Sequence, residues 1–252
     1  MKRNIAKNCY ELTLPTVSRP AQLTGLHQIL TLVQRSDTTA VKSEGTRVFV
    51  NVIRTLWHED TPFDERQRAA MAAISVPPVA LALAQLVGRS KKYPILINEG
   101  IVALTLLSLE SGACLSSSSF PPLPQPAHLS HKIANAVLDA ITTPLPQEVS
   151  GGSASVSAAE SEIGSPMTAP GRAVDVLAYL LKGRGANVPE EVRANACVLL
   201  GQVARESGVG AERVPEVVKL KAELRPLLTS AAETDKESRL KTAATGALRR
   251  WG

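Results

Sequence analysis

Residues 41–57 read VKSEGTRVFVNVIRTLW, and this stretch decides the fold class. Val41, Gly45, Val48, Phe49, Val52, Ile53 and Leu56 recur at helical spacing and form one apolar stripe. Glu44, Arg47, Asn51 and Arg54 recur on the opposite side. The pattern predicts an amphipathic helix of about four and a half turns. A helix with one apolar stripe needs a partner surface, so its neighbours decide the architecture.

Those neighbours are also helical. Residues 95–110, ILINEGIVALTLLSLE, are apolar nearly all round and follow Pro94, a favourable first helical residue. A helix of that kind needs cover on most sides. Residues 191–206, EVRANACVLLGQVARE, follow Pro189 and place Val192, Ala196, Leu199, Leu200 and Val203 on one face. Residues 236–251 repeat the theme more weakly with Leu240, Ala243, Ala244, Ala247 and Leu248. Shorter helices are expected at 20–34, 63–74, 78–87, 171–182 and 212–228, and another at about 128–142.

The long helices align with one another. Asn98 and Asn195 hold the same early position, Ser43 fits it in the first helix, and Asn4 fits it in the opening RNIAKNCYEL. A period near 40 residues with one long amphipathic helix per unit is the armadillo/HEAT signature. The expectation is an all-α, armadillo/HEAT-type α-solenoid of about four units and a partial one, each burying its faces against the next. The chain is expected to begin inside a repeat, as a fragment or a truncated gene model would.

Composition agrees with aliphatic helix packing. Of 252 residues, 44% are apolar and only 3% aromatic. That argues against a β-sandwich or barrel and against base-stacking nucleic-acid modules. The net charge of +5 is uneven. Residues 1–110 hold 13 Lys/Arg against 9 Asp/Glu, 111–170 hold 1 against 4, and 171–252 hold 14 against 10. Three blocks follow: armadillo repeats over 1–110, low-complexity insertions over 111–170 around the helix at about 128–142, and C-terminal armadillo repeats over 171–252. The insertions, SSSSFPPLPQP at 116–126 and a Ser/Ala/Pro/Gly-rich run at 143–170, are expected to be disordered. Cys9, Cys114 and Cys197 are too few and too scattered for a disulfide framework or a metal site. The first 14 residues lack a signal-peptide core and no apolar run is long enough to span a bilayer, so a cytoplasmic or nuclear location is expected, without membrane insertion.

Three stretches carry a more specific resemblance: SEGTRVFVNVIRTL (43–56), ILINEGIVALTLLSLE (95–110) and VPEEVRANACVLLGQVARES (188–207). With the tail VVKLKAEL (217–224), their order resembles the C-terminal armadillo repeats of the small-GTPase GDP dissociation stimulators, also called SmgGDS or Rap1 GDP dissociation stimulators. The resemblance implies a non-catalytic protein without cofactor. It would bind small GTPases of the Rho/Rac/Rap type in a concave groove, promote GDP release and chaperone them. A general armadillo scaffold binding a peptide or protein is the alternative.

On this reading Glu44, Arg47, Asn51 and Arg54 contact the partner, with Asn98, Glu99, Arg193, Asn195 and Gln202 as further groove residues. Each also has a plainer role. The charged set suits a solvated face with i,i+3 pairing, and an Asn at the shared position suits a tie between repeats. No phosphate-binding loop, metal-ligand spacing or nucleophile elbow is present in the sequence, so no enzyme or cofactor is expected. Nucleic-acid binding is not expected either, because cations alternate with acids, as at Glu190, Glu191 and Arg193 and at Glu237 beside Arg239.

Overall fold

A computed structural model describes residues 24–57, 71, 73–90, 93–109, 127–145, 171–182, 188–204, 211–234 and 238–252. The described residues are all-α. They form α1 (Gly25–Arg35), α2 (Thr39–Leu56), α3 (Pro77–Arg89), α4 (Pro94–Ser108), α5 (Ala127–Thr142), α6 (Ala173–Leu181), α7 (Glu190–Val203), a 3₁₀ turn (Ala211–Arg213), α8 (Val214–Thr234) and α9 (Ser238–Trp251). An isolated antiparallel bridge pairs Pro144 with Arg172, and there is no strand among the described residues. The expected opening repeat, both low-complexity runs apart from residues 143–145, and most of the helix at 63–74 lie outside the described residues.

Local chemistry sets the helix starts. Thr24 Oγ1 accepts from His27 N at 3.3 Å and caps α1. Prolines open α3 and α4, where the missing N–H costs nothing. Asp175 reaches back to the N–H of Arg172 at 2.7 Å and caps α6. The cap of α9 comes from another helix: Glu190 at the start of α7 accepts from Arg239 N and Leu240 N, both at 3.1 Å. A carboxylate there also meets the positive end of the helix dipole. Glu190→Ala is expected to lower stability by about 1 kcal/mol, and Glu190→Gln by less, in a chemical denaturation series.

The helices meet in two rows. In the first, α2 packs on α4, α4 on α7 and α7 on α9. In the second, α1 packs on α3, α3 on α5 and α6, and α6 on α8. The rows are joined by α1 against α2, α3 against α4, α6 against α7 and α8 against α9. Substantial pairings in the first row link immediate neighbours only. The core runs between the rows, with Phe49, Ile53, Leu83, Leu86, Ile101, Leu104, Leu177 and Leu199 fully enclosed.

Close approach between rows depends on glycine. Gly45 and Gly100 each lie two residues past the aligned Ser43 and Asn98. A Cβ at Gly45 would sit 2.6 Å from Val33 of α1, and one at Gly100 2.7 Å from Val87 of α3. The same position in α7 is Cys197, fully buried. The shared register is therefore a packing position, at which α2 and α4 each approach a second-row partner closely.

The stripe read from 41–57 is buried as expected at Phe49, Val52, Ile53 and Leu56, whereas Val41 is exposed and Val50 is buried.

Candidate interaction face

The outward side of the first row carries most of the side chains singled out above. On α2, Glu44, Asn51 and Arg54 are exposed and Arg47 is half-buried. Arg47 joins two helices. Its Nη1 donates to Glu44 at 3.0 Å within α2, and its Nε donates to Glu99 of α4 at 2.9 Å. Hydrogen bonding to Glu99, then to Glu44, raises the pKa of Arg47 above its ordinary value and outweighs desolvation. A raised folded-state pKa stabilises at every pH below the unfolded value, so the Arg47 contribution is complete across the working range. A double-mutant cycle on Arg47→Ala and Glu99→Ala is expected to give a coupling of about 0.5–1 kcal/mol that shrinks in high salt.

The link continues across the next pair. Asn195 Nδ2 on α7 donates to Asn98 Oδ1 on α4 at 2.8 Å. Asn98 and Glu99 are adjacent, so α4 reaches α2 through one and α7 through the other. Both Asn side chains are half-buried. Their bond uses one donor of Asn195 and one lone pair of Asn98, and each amide has further hydrogen-bonding capacity. Val102 and Val198 lie one turn further on, also half-buried.

Gln202 shares the outward stripe of Asn195, seven residues along α7, and is half-buried. Arg193 does not share it. Two residues from Asn195, it lies about 200° around the helix. The structure therefore brings Glu44, Arg47, Glu99, Asn98 and Asn195 into a connected polar ladder. Asn51, Arg54 and Gln202 extend its face, and Arg193 stands apart.

Sequence reasoning missed two exposed apolar side chains at the head of α4. Tyr93 is 64% exposed and Ile95 is 74% exposed. Large apolar groups in water beside a polar ladder suit the anchor role at protein interfaces. A usable signal was present, because Tyr93 and Ile95 flank the Pro94 that starts the helix. Ile95 shares the outward stripe of Asn98, Glu99 and Val102, whereas Ile97 in the same turn is buried.

Among the described residues, no group of three or more His, Cys, Asp or Glu side chains is placed to hold a metal ion. No described helix is long and apolar enough to cross a membrane. Cys197 is buried in the core. The side chains of His128 and His131, whose i,i+3 spacing reads as a surface pair, lie outside the described residues. No protein-family model matches this chain, and no curated protein matches it.

Proposed function

We propose that this chain is a non-catalytic armadillo-type α-solenoid that docks a protein partner on the outward face of α2, α4 and α7. The observation that carries the reading is the ladder from Glu44 through Arg47, Glu99 and Asn98 to Asn195, which joins successive helices while turning polar groups outward. Pairing of first-row helices with immediate neighbours supports the solenoid. The partner implied by the sequence resemblance is a small GTPase of the Rho/Rac/Rap type. Exchange would then follow from tighter binding to the nucleotide-free GTPase than to its GDP complex, since differential affinity alone shifts such an equilibrium.

The test mixes the chain with Rho-, Rac- and Rap-type GTPases loaded with fluorescent GDP. Complex formation and faster GDP release, both weakened by Arg54→Glu, are the expected results. No complex and no acceleration with any of them overturns the GTPase reading.

One observation favours a second reading, a scaffold for an extended peptide. The Asn98–Asn195 pair keeps hydrogen-bonding capacity, with Val102 and Val198 beside it. Amides at that spacing can pair with the backbone of an extended chain while the valines take an apolar side chain. Loss of partner binding on Asn195→Ala with Arg54→Glu neutral would select this reading.

A further inference from the structure

We propose that the outer face of α9 docks a short acidic protein segment, a second site separate from the α2/α4/α7 face. The sequence of α9, SRLKTAATGALRRW, carries Arg239, Lys241, Arg249 and Arg250 and no Asp or Glu. All four cations are exposed; Arg239, Arg249 and Arg250 fall within about 100° of one another around the helix, and Lys241 lies on the far flank. Arg225 of α8 donates to Gly252 O at 3.2 Å, bringing a further guanidinium to the last turn of α9. Positive charge in the last turn complements the helix dipole, but Arg239 and Lys241 lie in the first turns, where a cation is unfavourable. The Glu190 carboxylate that caps this turn sets one negative charge against the two.

Gly246 supplies a second, independent observation. Among the described helical glycines, a Cβ at Gly45, Gly88, Gly100 or Gly201 would meet a neighbour closely, whereas one at Gly246 meets nothing within 4 Å. A glycine inside an exposed helix costs about 1 kcal/mol relative to alanine, and no contact among the described residues needs it. Thr242, Thr245 and Gly246 leave a low centre between cations at either end of the face. A partner backbone can approach closely there, with its carboxylates reaching the flanking arginines.

The surroundings select the class of partner. Towards α7 the cations end, because the outward stripe of that helix is Glu191, Asn195, Val198 and Gln202. The basic face is therefore about 20 Å long, the length of one short helix. A nucleic acid crossing it would carry its next phosphates towards Glu191, and no exposed aromatic ring on α9 offers a base a stacking surface, since Trp251 is buried. An anionic membrane would be met by threonine and glycine, without an apolar side chain to insert. Arginine forks accept carboxylates in two-point contact, and a short acidic segment satisfies them without extending beyond the patch.

The test measures anisotropy of a short fluorescent peptide rich in Glu and Asp, titrated with the whole chain. Binding is expected at about 50 mM salt and is expected to weaken at about 300 mM. Arg249→Glu with Arg250→Glu should lower affinity about 10-fold or more. Arg35→Glu on α1 should leave it unchanged. Gly246→Gln should weaken peptide binding about 3-fold while melting at the same or a higher temperature, a split that a purely structural role would not give. Failure of the peptide to bind overturns the proposal, as does an equal effect of Arg35→Glu. Tighter binding of an oligonucleotide or of anionic vesicles, with displacement of the peptide, also overturns it. None of these outcomes depends on whether the α2/α4/α7 face binds a GTPase.

Discussion

Trp251→Ala is expected to destabilise the protein by about 4 kcal/mol, the largest effect of any single truncation considered. Trp251 ends α9 and is 5% exposed. Its Nε1 donates to Leu200 O on α7 at 3.2 Å. That carbonyl already accepts the Ala204 N–H at 3.1 Å, so the indole uses its second lone pair. Lys221, itself buried, donates Nζ to Trp251 O at 2.9 Å and fixes the backbone at the same point. Truncation removes an aromatic body from a filled interior and leaves a cavity between α7 and α9. Trp251→Phe retains most of the apolar contact and loses the indole bond, so a cost of about 1–2 kcal/mol is expected. Urea denaturation of the two variants separates packing from hydrogen bonding. A loss under 1 kcal/mol for the alanine variant would show that α9 is not anchored through this ring.

Gly201→Val is expected to cost about 3 kcal/mol at the same interface by the opposite route, overfilling. A Cβ at Gly201 would stand 2.9 Å from Ala247 Cα and 3.0 Å from Ala247 Cβ. The first of these is backbone, so no rotamer change relieves it, and α9 as a whole must move from α7. Movement breaks the Trp251–Leu200 bond and wets the indole. Emission from Trp251 should shift to the red in the folded variant. Gly201→Ala should show the same change at a smaller cost. An unshifted spectrum with unchanged stability would mean that the helices can separate freely.

Much of the helix layout was legible in the sequence. The periodicity of 41–57 gave α2 to within about two residues, and Pro94 and Pro189 marked the starts of α4 and α7. Even the weak pattern at 236–251 corresponds to α9. Periodicity reports which residues share a side of a helix, and not how far along that side a neighbour reaches. Val41 shares the side of the buried Val52 and is itself exposed. Spatial register between helices was also hidden. Arg47 and Glu99 were each singled out, but their contact spans 52 positions in the chain and depends on the relative height of α2 and α4. Asn98 and Asn195 were the exception, because their shared place in an internal repeat pointed to one height before any contact was known. Gly201 and Gly246 look alike in sequence. Only the presence of Ala247 beside one and open space beside the other tells them apart.

The placing of the bonds between α7 and α9 has a mechanical meaning. The α7–α9 pair is held at both ends, by Glu190 on the first turn of α9 and by Trp251 on the last turn of α7. Two pins at opposite ends resist shear and splay together. Under load α7 and α9 should therefore move as one arm. The Asn98–Asn195 amide bond ties that arm to α4, so a partner spanning α2 to α7 would bear on the arm as a whole.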